Sequence, residues 1–265
     1  MLRLYYVKFY ILKILFKIQR ILIHIYSLRK IYPKKVQCNI CKWSGQCFDS
    51  DYWHQYVICP KCGSSVRHRL LIAALSNLDN FSFEKIIINK KVLHFAPEPW
   101  ISKILQNYTK NYTTADLIRP DVDLNIDITN LHKIFSTEFD VVIACDVLEH
   151  VVDDNQAIVE LYRILKQNGY AIITVPQKDN LSKTYEDKNV HTPTERKIKY
   201  GQEDHLRIYG DNFPMLLESK GFDVTTISAD TFSVDMKQKN VLFPPIFSNR
   251  DLATNYRKVF FARKK

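Results

Sequence analysis

Glycine is scarce in this chain, with six residues in 265. Folds that bind dinucleotides place several glycines in the loop after their first strand, because the ligand lies against the backbone there. The scarcity therefore argues against a glycine-rich phosphate-binding loop. A hydrophobic content of 46% is enough for a buried core, and the length suits one α/β domain together with a small module.

Acidic residues are absent from residues 1–35, which carry nine Lys and Arg. The rest of the chain has 29 basic and 28 acidic residues, so the net charge of +10 belongs to this N-terminal arm. A nucleic-acid surface needs Lys and Arg for its phosphate contacts. The nearly neutral remainder therefore argues against nucleic acid as a partner.

The arm also lacks an apolar run long enough to cross a membrane. Its longest uncharged run, residues 21–28, is far shorter than the ~18 residues that a spanning helix needs. Four residues at helical spacing share one side of a helix: Lys13, Lys17, Arg20 and His24. We predict a basic amphipathic helix over residues 1–35, which lies on an anionic membrane surface through residues 1–30. A helix that packs on the rest of the chain or on a second subunit is the alternative.

The arm does not have the pattern of a cleaved signal peptide. Charges interrupt its apolar core, and no small-residue cleavage site follows. We therefore expect a cytoplasmic protein, peripheral on the inner face of the membrane.

Two C-x2-C pairs, with seventeen residues between them, bring four thiols into a metal-binding pattern. The predicted ligands are Cys38, Cys41, Cys59 and Cys62. This spacing is typical of a zinc ribbon, here over residues 36–66, and four Cys ligands leave no open position on the metal, so the zinc would be structural. Two disulfides or free buried thiols are the alternative. A helical linker over residues 67–87 follows.

Strand and helix patterns alternate over residues 88–265. Apolar runs predict seven strands, at residues 91–96, 112–116, 123–128, 139–145, 170–175, 222–227 and 258–262. Apolar periodicity predicts helices at residues 70–78, 100–107, 155–166 and 211–219. This alternation predicts a doubly wound, mostly parallel α/β sheet of seven strands.

The run from Phe139 to Val151 resembles the segment after the fourth strand of class I S-adenosylmethionine (SAM)-dependent methyltransferases, which is written there FDxVxxxxVLEHV. The combination of a CPxCGSxxRHR knuckle with a later HFAPE resembles a group of bacterial zinc-ribbon methyltransferases. The resemblance implies a Rossmann-like methyltransferase fold over residues 88–265 and SAM as cofactor. One departure is the first loop, Phe95-Ala96-Pro97-Glu98-Pro99, where the family usually has glycines.

Acids at successive strand ends suit an adenosyl ligand. A carboxylate can accept hydrogen bonds from both ribose hydroxyls, and Asp116 lies 20 residues after Ala96, close to the usual spacing. Taken singly, each acid could equally be a helix cap or a loop charge. The resemblance implies a cofactor site formed by Ala96, Glu98, Asp116, Leu117, Asp127, Ile128 and Asp146.

Methyl transfer to a hydroxyl is helped by a general base, and His150 lies just past the fourth strand. Asp146, Glu149 and His150 form D-x-x-E-H, which resembles the E-x-x-E-H of ubiquinone-type and small-RNA 2′-O-methyltransferases, where it holds a divalent cation. The alternative is that Glu149 and His150 only cap the turn and order the cofactor pocket. We predict catalytic roles for Glu149, His150 and His205, with a possible divalent cation at Asp146, Glu149 and His150.

A polar segment follows the fifth strand, where these enzymes carry a substrate lid. The predicted substrate-binding residues are His191, Asp204, Arg207 and Tyr209; a salt-bridge cluster at a helix start is the alternative. We expect a methyltransferase that acts on an oxygen of a small-molecule, glycan or lipid-linked acceptor. There are two alternatives: an RNA methyltransferase, and a non-catalytic scaffold that retains the fold.

Overall fold

The computed structural model describes residues 35–265. The amphipathic helix predicted for residues 1–35 therefore lies outside the described residues, apart from Lys35. Within residues 35–265, no helix combines the length and the apolar character that crossing a membrane requires.

The N-terminal part of the described chain is a small ribbon. Its strands β1 (Val36–Gln37) and β2 (Ser44–Gly45) pair antiparallel, and an isolated bridge joins Asp49 to Ile58. Helix α1 (Val66–Asn77) follows and starts four residues before the predicted helix. Its start is fixed by His68, whose Nδ1 accepts the backbone N–H of Ser65 at 3.0 Å.

Seven strands form one sheet in the order β5-β4-β3-β6-β7-β9-β8. They are β3 (Val92–Phe95), β4 (Tyr112–Asp116), β5 (Leu124–Asn125), β6 (Phe139–Cys145), β7 (Leu165–Thr174), β8 (Phe222–Ser228) and β9 (Lys258–Lys264). The pairs from β5 to β7 are parallel, whereas β9 is antiparallel to both β7 and β8. The predicted mostly parallel, seven-stranded sheet is confirmed.

Six further helices connect the strands: α2 (Phe83–Ile86), α3 (Pro99–Leu105), α4 (Asp154–Ile164), α5 (Pro193–Tyr200), α6 (Phe213–Glu218) and α7 (Val234–Asn240). The sequence patterns did not predict α2, α5 or α7. Helices α5 and α7 have one buried residue and none, respectively, so they carry no apolar stripe at helical spacing. Capping interactions start both of them instead: Thr192 and Ser233 accept backbone N–H groups of their first turns.

Two hydrophobic clusters cover the faces of the sheet. Side chains alternate along β6, so that Val142 and Ala144 join the cluster with α4 and α6, whereas Val141 and Ile143 join the cluster with α1, α2 and α3. A third, smaller cluster forms inside the ribbon around the buried Phe48. The alternation explains why β6 is apolar along most of its length, since both of its faces are buried.

The strand order reverses between β3 and β6, because chain connections run outward in opposite directions from this pair. In open α/β sheets, a crevice at the carboxyl ends of the strands opens at such a point and binds ligands. The loops after Phe95 and Cys145 therefore border the crevice.

The ribbon is fixed to the sheet domain by Arg69, which is fully buried. Its guanidinium donates to the carbonyls of Ser64 and Val57 at 2.6 and 2.8 Å, and to those of Asn240 and Val241 at 2.8 and 3.0 Å. The ring of Phe48 lies 4.4 Å below it. One side chain thus joins the ribbon to the end of α7.

Candidate active site and cysteine cluster

The four cysteines predicted to bind zinc lie together, with all four Sγ atoms within 4.8 Å of one another. Cys38 Sγ is 3.7 Å from Cys62 Sγ, and Cys41 Sγ is 3.6 Å from Cys59 Sγ. Zn–S bonds of about 2.3 Å in a tetrahedron give S···S edges of about 3.8 Å. The donor set and its spacing fit Zn²⁺.

Each cysteine pair ends in a tight turn. The residue after the second cysteine adopts the left-handed region in both, at Lys42 (φ 61°) and Gly63 (φ 72°). Ser64 Oγ lies 3.2 Å from Cys62 Sγ and 3.4 Å from Cys38 Sγ. A hydroxyl that bridges two of the sulfur atoms is the kind of outer contact that orients metal ligands.

The loop after β3 is tied to the start of α1. Ala96 adopts a left-handed backbone (φ 47°), a conformation that favours the glycine common in this loop. The next acid, Glu98, accepts from His68 Nε2 at 2.9 Å and lies 3.9 Å from the guanidinium of Arg67. Burial alone would raise the pKa of Glu98, but the imidazoles of His68 and His94 outweigh it and hold that pKa well below its usual range.

The acid at the end of β4 holds its own turn. Asp116 Oδ1 accepts the backbone N–H groups of Ile118 and Arg119 at 2.8 and 3.0 Å. Leu117 beside it is 63% exposed. Further along, Asp127 Oδ1 accepts from the backbone and hydroxyl of Thr129, and the next residue, Ile128, is buried.

At the end of β6, Asp146 is surrounded by cations. Its Oδ2 lies 3.2 Å from Arg67 Nε, and its Oδ1 accepts from Arg257 and from Thr174 Oγ1. Burial would raise the pKa of Asp146, but Arg257 and Arg67 outweigh it and lower the pKa to about 2. Asp146 is therefore a fixed anion at neutral pH.

A second group of ligand atoms lies three residues further on. One donor atom each from Glu149, His150 and His205 lies within 4.8 Å of the others, and the rings of His150 and His205 meet edge to face, with centroids 4.8 Å apart. The sequence analysis predicted a cation site formed by Asp146, Glu149 and His150. In the structure, His205 takes the position of Asp146 as the third member of this group. The difference arises because two arginines and Thr174 already occupy the Asp146 carboxylate.

The inner side chains of this group are buried and incompletely bonded. Glu149 is 1% exposed and its Oε2 has no hydrogen-bond partner within residues 35–265. Burial, and then the charge of Asp146, raise the pKa of Glu149 well above its usual range. His205 Nδ1 lies 3.2 Å from the carbonyl of Tyr200, which can only accept, so the neutral ring keeps the lone pair on Nε2.

Two of the predicted substrate-binding residues are structural. Arg207 is 2% exposed and donates to the backbone carbonyls of Leu148, Val151 and Val152. Tyr209 is fully buried, and its hydroxyl donates to Asp154 Oδ2 at 2.8 Å. Both side chains thus bind the polar segment to residues 148–154, and these buried hydrogen bonds explain why the two side chains are polar without being exposed.

The other two predicted substrate-binding residues are exposed. Asp204 Oδ2 lies 3.2 Å from His150 Nδ1, so this acid borders the group formed by Glu149, His150 and His205. His191 precedes α5 and does not belong to the lining of the large cavity beside that group. The structure therefore brings Asp204, but not His191, to the candidate site.

A cavity of about 220 Å³ lies between the ribbon, the segment around α5 and the carboxyl edge of the sheet. The lining includes Trp53, His54, Arg67, Asp146, Gly201, His205 and Arg257. The sequence analysis assigned none of His54, Arg67 and Arg257 to a site. Arg67 belongs to the RHR of the knuckle motif, but no periodic or motif signal marks His54 or Arg257. The three residues come from segments that only the fold brings together.

A family model matches the middle of the chain. Residues 101–173 match the family model described as "Methyltransferase domain". This segment of the chain is similar to methyltransferase domains. The match confirms the resemblance noted at Phe139–Val151 and the expectation of an enzyme.

A solved structure shares the fold at low sequence identity, and a second one is reported beside it. The crystal structure of a SAM-dependent methyltransferase from Mesorhizobium loti is 12% identical, with a TM-score of 0.50, and covers 76% of this chain and 99% of that one. The 1,6-didemethyltoxoflavin N1-methyltransferase of Burkholderia thailandensis, solved with its substrate and S-adenosylhomocysteine, is 14% identical, with a TM-score of 0.47, and covers 76% of this chain and 78% of that one. A search of curated proteins gives no match.

Proposed function

We propose that the enzyme transfers the methyl group of SAM to an oxygen atom of a small-molecule, glycan or lipid-linked acceptor bound in the cavity. The observation that carries the proposal is the group formed by Glu149, His150 and His205 at the carboxyl edge of the sheet. Its buried Glu149 Oε2 and His205 Nε2 have no hydrogen-bond partner within the described chain. Buried polar atoms of this kind are rare in native proteins and suit a bound hydroxyl or cation.

We place SAM in the crevice between the loops after β3 and β6. Asp116 Oδ1 is held by its own turn, which leaves Oδ2 for a ribose hydroxyl, and the exposed Leu117 would cover one face of the adenine. Asp127 and the backbone N–H of Ile128 would bind the adenine edge. Ala96 would lie against the cofactor, and the anions Glu98 and Asp146 would face its amino group and sulfonium.

The histidines supply the chemistry that an oxygen acceptor needs. A hydroxyl becomes a better nucleophile when a neighbouring base accepts its proton. His205 carries a lone pair on Nε2, and burial and then His150 lower its pKa, so the ring is neutral at pH 7. The more exposed His150 can pass the proton on to Asp204 or to solvent.

The same three residues fit a divalent cation better than the set that includes Asp146. Two imidazoles and one carboxylate are a common donor set for such ions, and a bound cation would keep Glu149 ionised in spite of its burial. Glu149, His150 and His205 would hold the ion, which would lower the pKa of an acceptor hydroxyl and orient it.

The experiment is an acceptor screen with SAM labelled in its methyl group, followed by NMR of the product. We expect methylation on oxygen. His150→Ala should lower kcat by about 100-fold, while His191→Ala, which removes an exposed histidine outside the cavity, should not change it. A product methylated on nitrogen or carbon would contradict the proposal. Full turnover after stringent chelation would exclude a role for the cation and would leave general-base catalysis by the histidines as the mechanism.

We also propose that the four-cysteine cluster binds a structural Zn²⁺, which keeps the ribbon (residues 36–66) folded beside the cavity. Support comes from the S···S spacing and from the Ser64 hydroxyl between two sulfur atoms. Because four thiolates complete the coordination, this ion would take no part in methyl transfer.

We propose, finally, that residues 1–30 hold the enzyme on an anionic membrane surface at the cytoplasmic face. The support is the sequence itself, with nine Lys and Arg and no acid in residues 1–35. Flotation with vesicles that contain phosphatidylserine should recover the full chain but not a chain without residues 1–30. Equal recovery with neutral vesicles would contradict the preference for an anionic surface, and no recovery with either kind of vesicle would argue for the packing helix instead.

A further inference from the structure

The cavity beside the reacting group is built from parts that lie far apart in the sequence. The ribbon supplies Trp53 and His54, the start of α1 supplies Arg67, and the segment before β9 supplies Arg257. Gly201 at the end of α5 (φ 94°) lies so close to the Trp53 ring that a Cβ there would be 3.2 Å from it. The ribbon is therefore one wall of the acceptor cavity.

The hydrogen-bonding groups that remain free in this cavity are mainly donors. Arg67 Nε and Arg257 Nε are buried N–H groups without a hydrogen-bond partner in the described chain. Arg67 Nε lies 3.2 Å from Asp146 Oδ2, but not in line for a hydrogen bond. A third buried nitrogen, His54 Nε2, is also unpartnered.

Apart from His205 Nε2, the proposed base, the free acceptors are located elsewhere. Within residues 35–265, the buried side-chain oxygens without a partner belong to Asn39, Glu98, Glu149 and Gln177. None of these residues lines the cavity. A ligand that satisfies the cavity must therefore bring acceptor oxygens, because buried donors left unpaired cost free energy.

The two guanidinium groups at the bottom of the cavity also favour a ligand with acceptor oxygens. The two guanidinium groups share one carboxylate of the lining, that of Asp146. The other acid of the lining, Asp51, is exposed, and its Oδ1 already accepts the backbone N–H groups of Trp53 and His54. Arg67 also lies 3.9 Å from Glu98, so the carboxylates of Asp146 and Glu98 balance the two cations. The Nε–H groups that remain without a partner, and not a surplus of charge, suit carboxylate and phosphate oxygens.

We propose that the acceptor is an anion whose carboxylate or phosphate group is bound by Arg67 and Arg257, with His54 of the ribbon as a third contact. The inference rests on the proposed function and specifies its substrate class. It also gives the ribbon a role in choosing the acceptor, since His54 and Trp53 reach the cavity from it.

The test measures binding of simple probes to the enzyme loaded with S-adenosylhomocysteine. The probes are inorganic phosphate, D-galacturonate and the neutral D-galactose, each followed by NMR. The variants are Arg257→Gln and His54→Gln. Arg250→Gln is the matched control, because Arg250 is an exposed arginine of the same segment that stacks on Tyr52 and does not line the cavity.

We expect saturable binding of phosphate, galacturonate or both, and at least tenfold weaker binding of galactose. Arg257→Gln should weaken anion binding at least tenfold and His54→Gln about threefold, while Arg250→Gln leaves it unchanged. Preference for one anion identifies the acceptor group as a phosphate or a carboxylate.

Two results would overturn the inference: galactose binding as tightly as galacturonate, or anion binding that Arg257→Gln leaves intact. The absence of saturable anion binding would do so as well. In all three cases, retained binding of S-adenosylhomocysteine on the same samples shows that the methyltransferase assignment is unaffected. Loss of that binding from the unaltered enzyme would instead contradict the cofactor site itself.

Discussion

Arg207 donates its guanidinium Nη1 to the carbonyl of Leu148 at 3.0 Å, across 59 residues of sequence. The side chain is 2% exposed, so it is shielded from solvent, and its Nε donates to Glu186 Oε2 at 2.8 Å. The turn that carries Glu149 and His150 is therefore held in place by the segment that carries His205. Together with the backbone N–H of Leu206, which donates to the carbonyl of Glu149 at 2.8 Å, this buried cation positions the reacting group.

Substitution of Arg207 should destabilise the whole domain. Arg207→Gln removes a buried charge network and leaves three carbonyl groups without their donor, so we expect the free energy of unfolding to fall by about 3–4 kcal/mol. Arg119→Gln, which breaks an exposed pair with Asp121, should cost less than about 1 kcal/mol. Urea unfolding of both variants measures the difference, and equal costs would refute the structural role of Arg207.

Zinc content should distinguish the ligand cysteines from their neighbour. Cys59→Ser should reduce bound zinc from one equivalent to less than about a tenth, because a hydroxyl is a poor zinc ligand. Cys47→Ser should retain the metal, since Cys47 is buried in the ribbon but lies outside the group of four sulfur atoms. Elemental analysis of the purified proteins provides the measurement. Zinc loss from both variants would mean that metal binding depends on Cys47 as well, which would contradict the assignment of the four ligands.

Cofactor binding should depend on Asp116 more than on its neighbour Asp121. Asp116→Ala should weaken SAM binding by about 10- to 100-fold, because a charged hydrogen bond to the ribose contributes about 1.5–3 kcal/mol. Asp121→Ala removes an exposed acid of the same loop, which pairs only with Arg119, and should change the affinity less than about twofold. Isothermal titration calorimetry with SAM compares the two. Equal SAM affinities of the two variants would mean that an acid other than Asp116 binds the ribose.

Stability should rise between pH 4 and pH 6.5 because of His68. Burial, and then Arg67, lower the pKa of His68 to about 4, and its Nδ1 already accepts the backbone N–H of Ser65. The folded ring therefore stays neutral where the unfolded ring, with a pKa near 6.5, takes up a proton. The unfolded state binds more protons in this window, so acid favours unfolding, by about 2–3 kcal/mol at pH 4.

The check for His68 is the slope of unfolding free energy against pH in His68→Gln, with the exposed His132→Gln as control. The first variant should lose most of the slope that His68 contributes, and the second should keep it. A parallel dependence in His68→Gln and the unaltered protein would show that His68 does not set it.

Strand β6 was predictable because burial on two faces makes it apolar, whereas the half-buried β4 was predictable from its aromatic and β-branched residues. The bounds of β4 and β6 match the expected residues 112–116 and 139–145. Helix α5 had a signal that apolar periodicity does not use: Thr192 and Glu195 form a capping box, with Pro193 in the first turn and Gly201 after the end. Helix α7 lacks a buried residue altogether, so no apolar pattern could have indicated it.

The residues of the candidate site also differ in whether the sequence could predict them. Acids at strand ends could be anticipated from the order of strands, because parallel strands deliver their carboxyl ends to one edge. The roles of Arg207 and Arg257 could not. Arg207 looks like a surface residue in sequence and is buried by contacts to backbone carbonyls, whereas Arg257 meets Asp146 across 111 residues. Long-range pairs of this kind leave no local spacing to detect.

The contacts of Arg69 have a consequence for how the chain is made. Its donors reach carbonyls 171 and 172 residues later in the sequence, so a growing chain exposes this cation long before its partners leave the ribosome. Local folding can complete the ribbon early, but contacts of such separation form late. We therefore expect that the ribbon docks last during synthesis, and that the acceptor cavity comes into existence only when the C-terminal third of the chain has arrived.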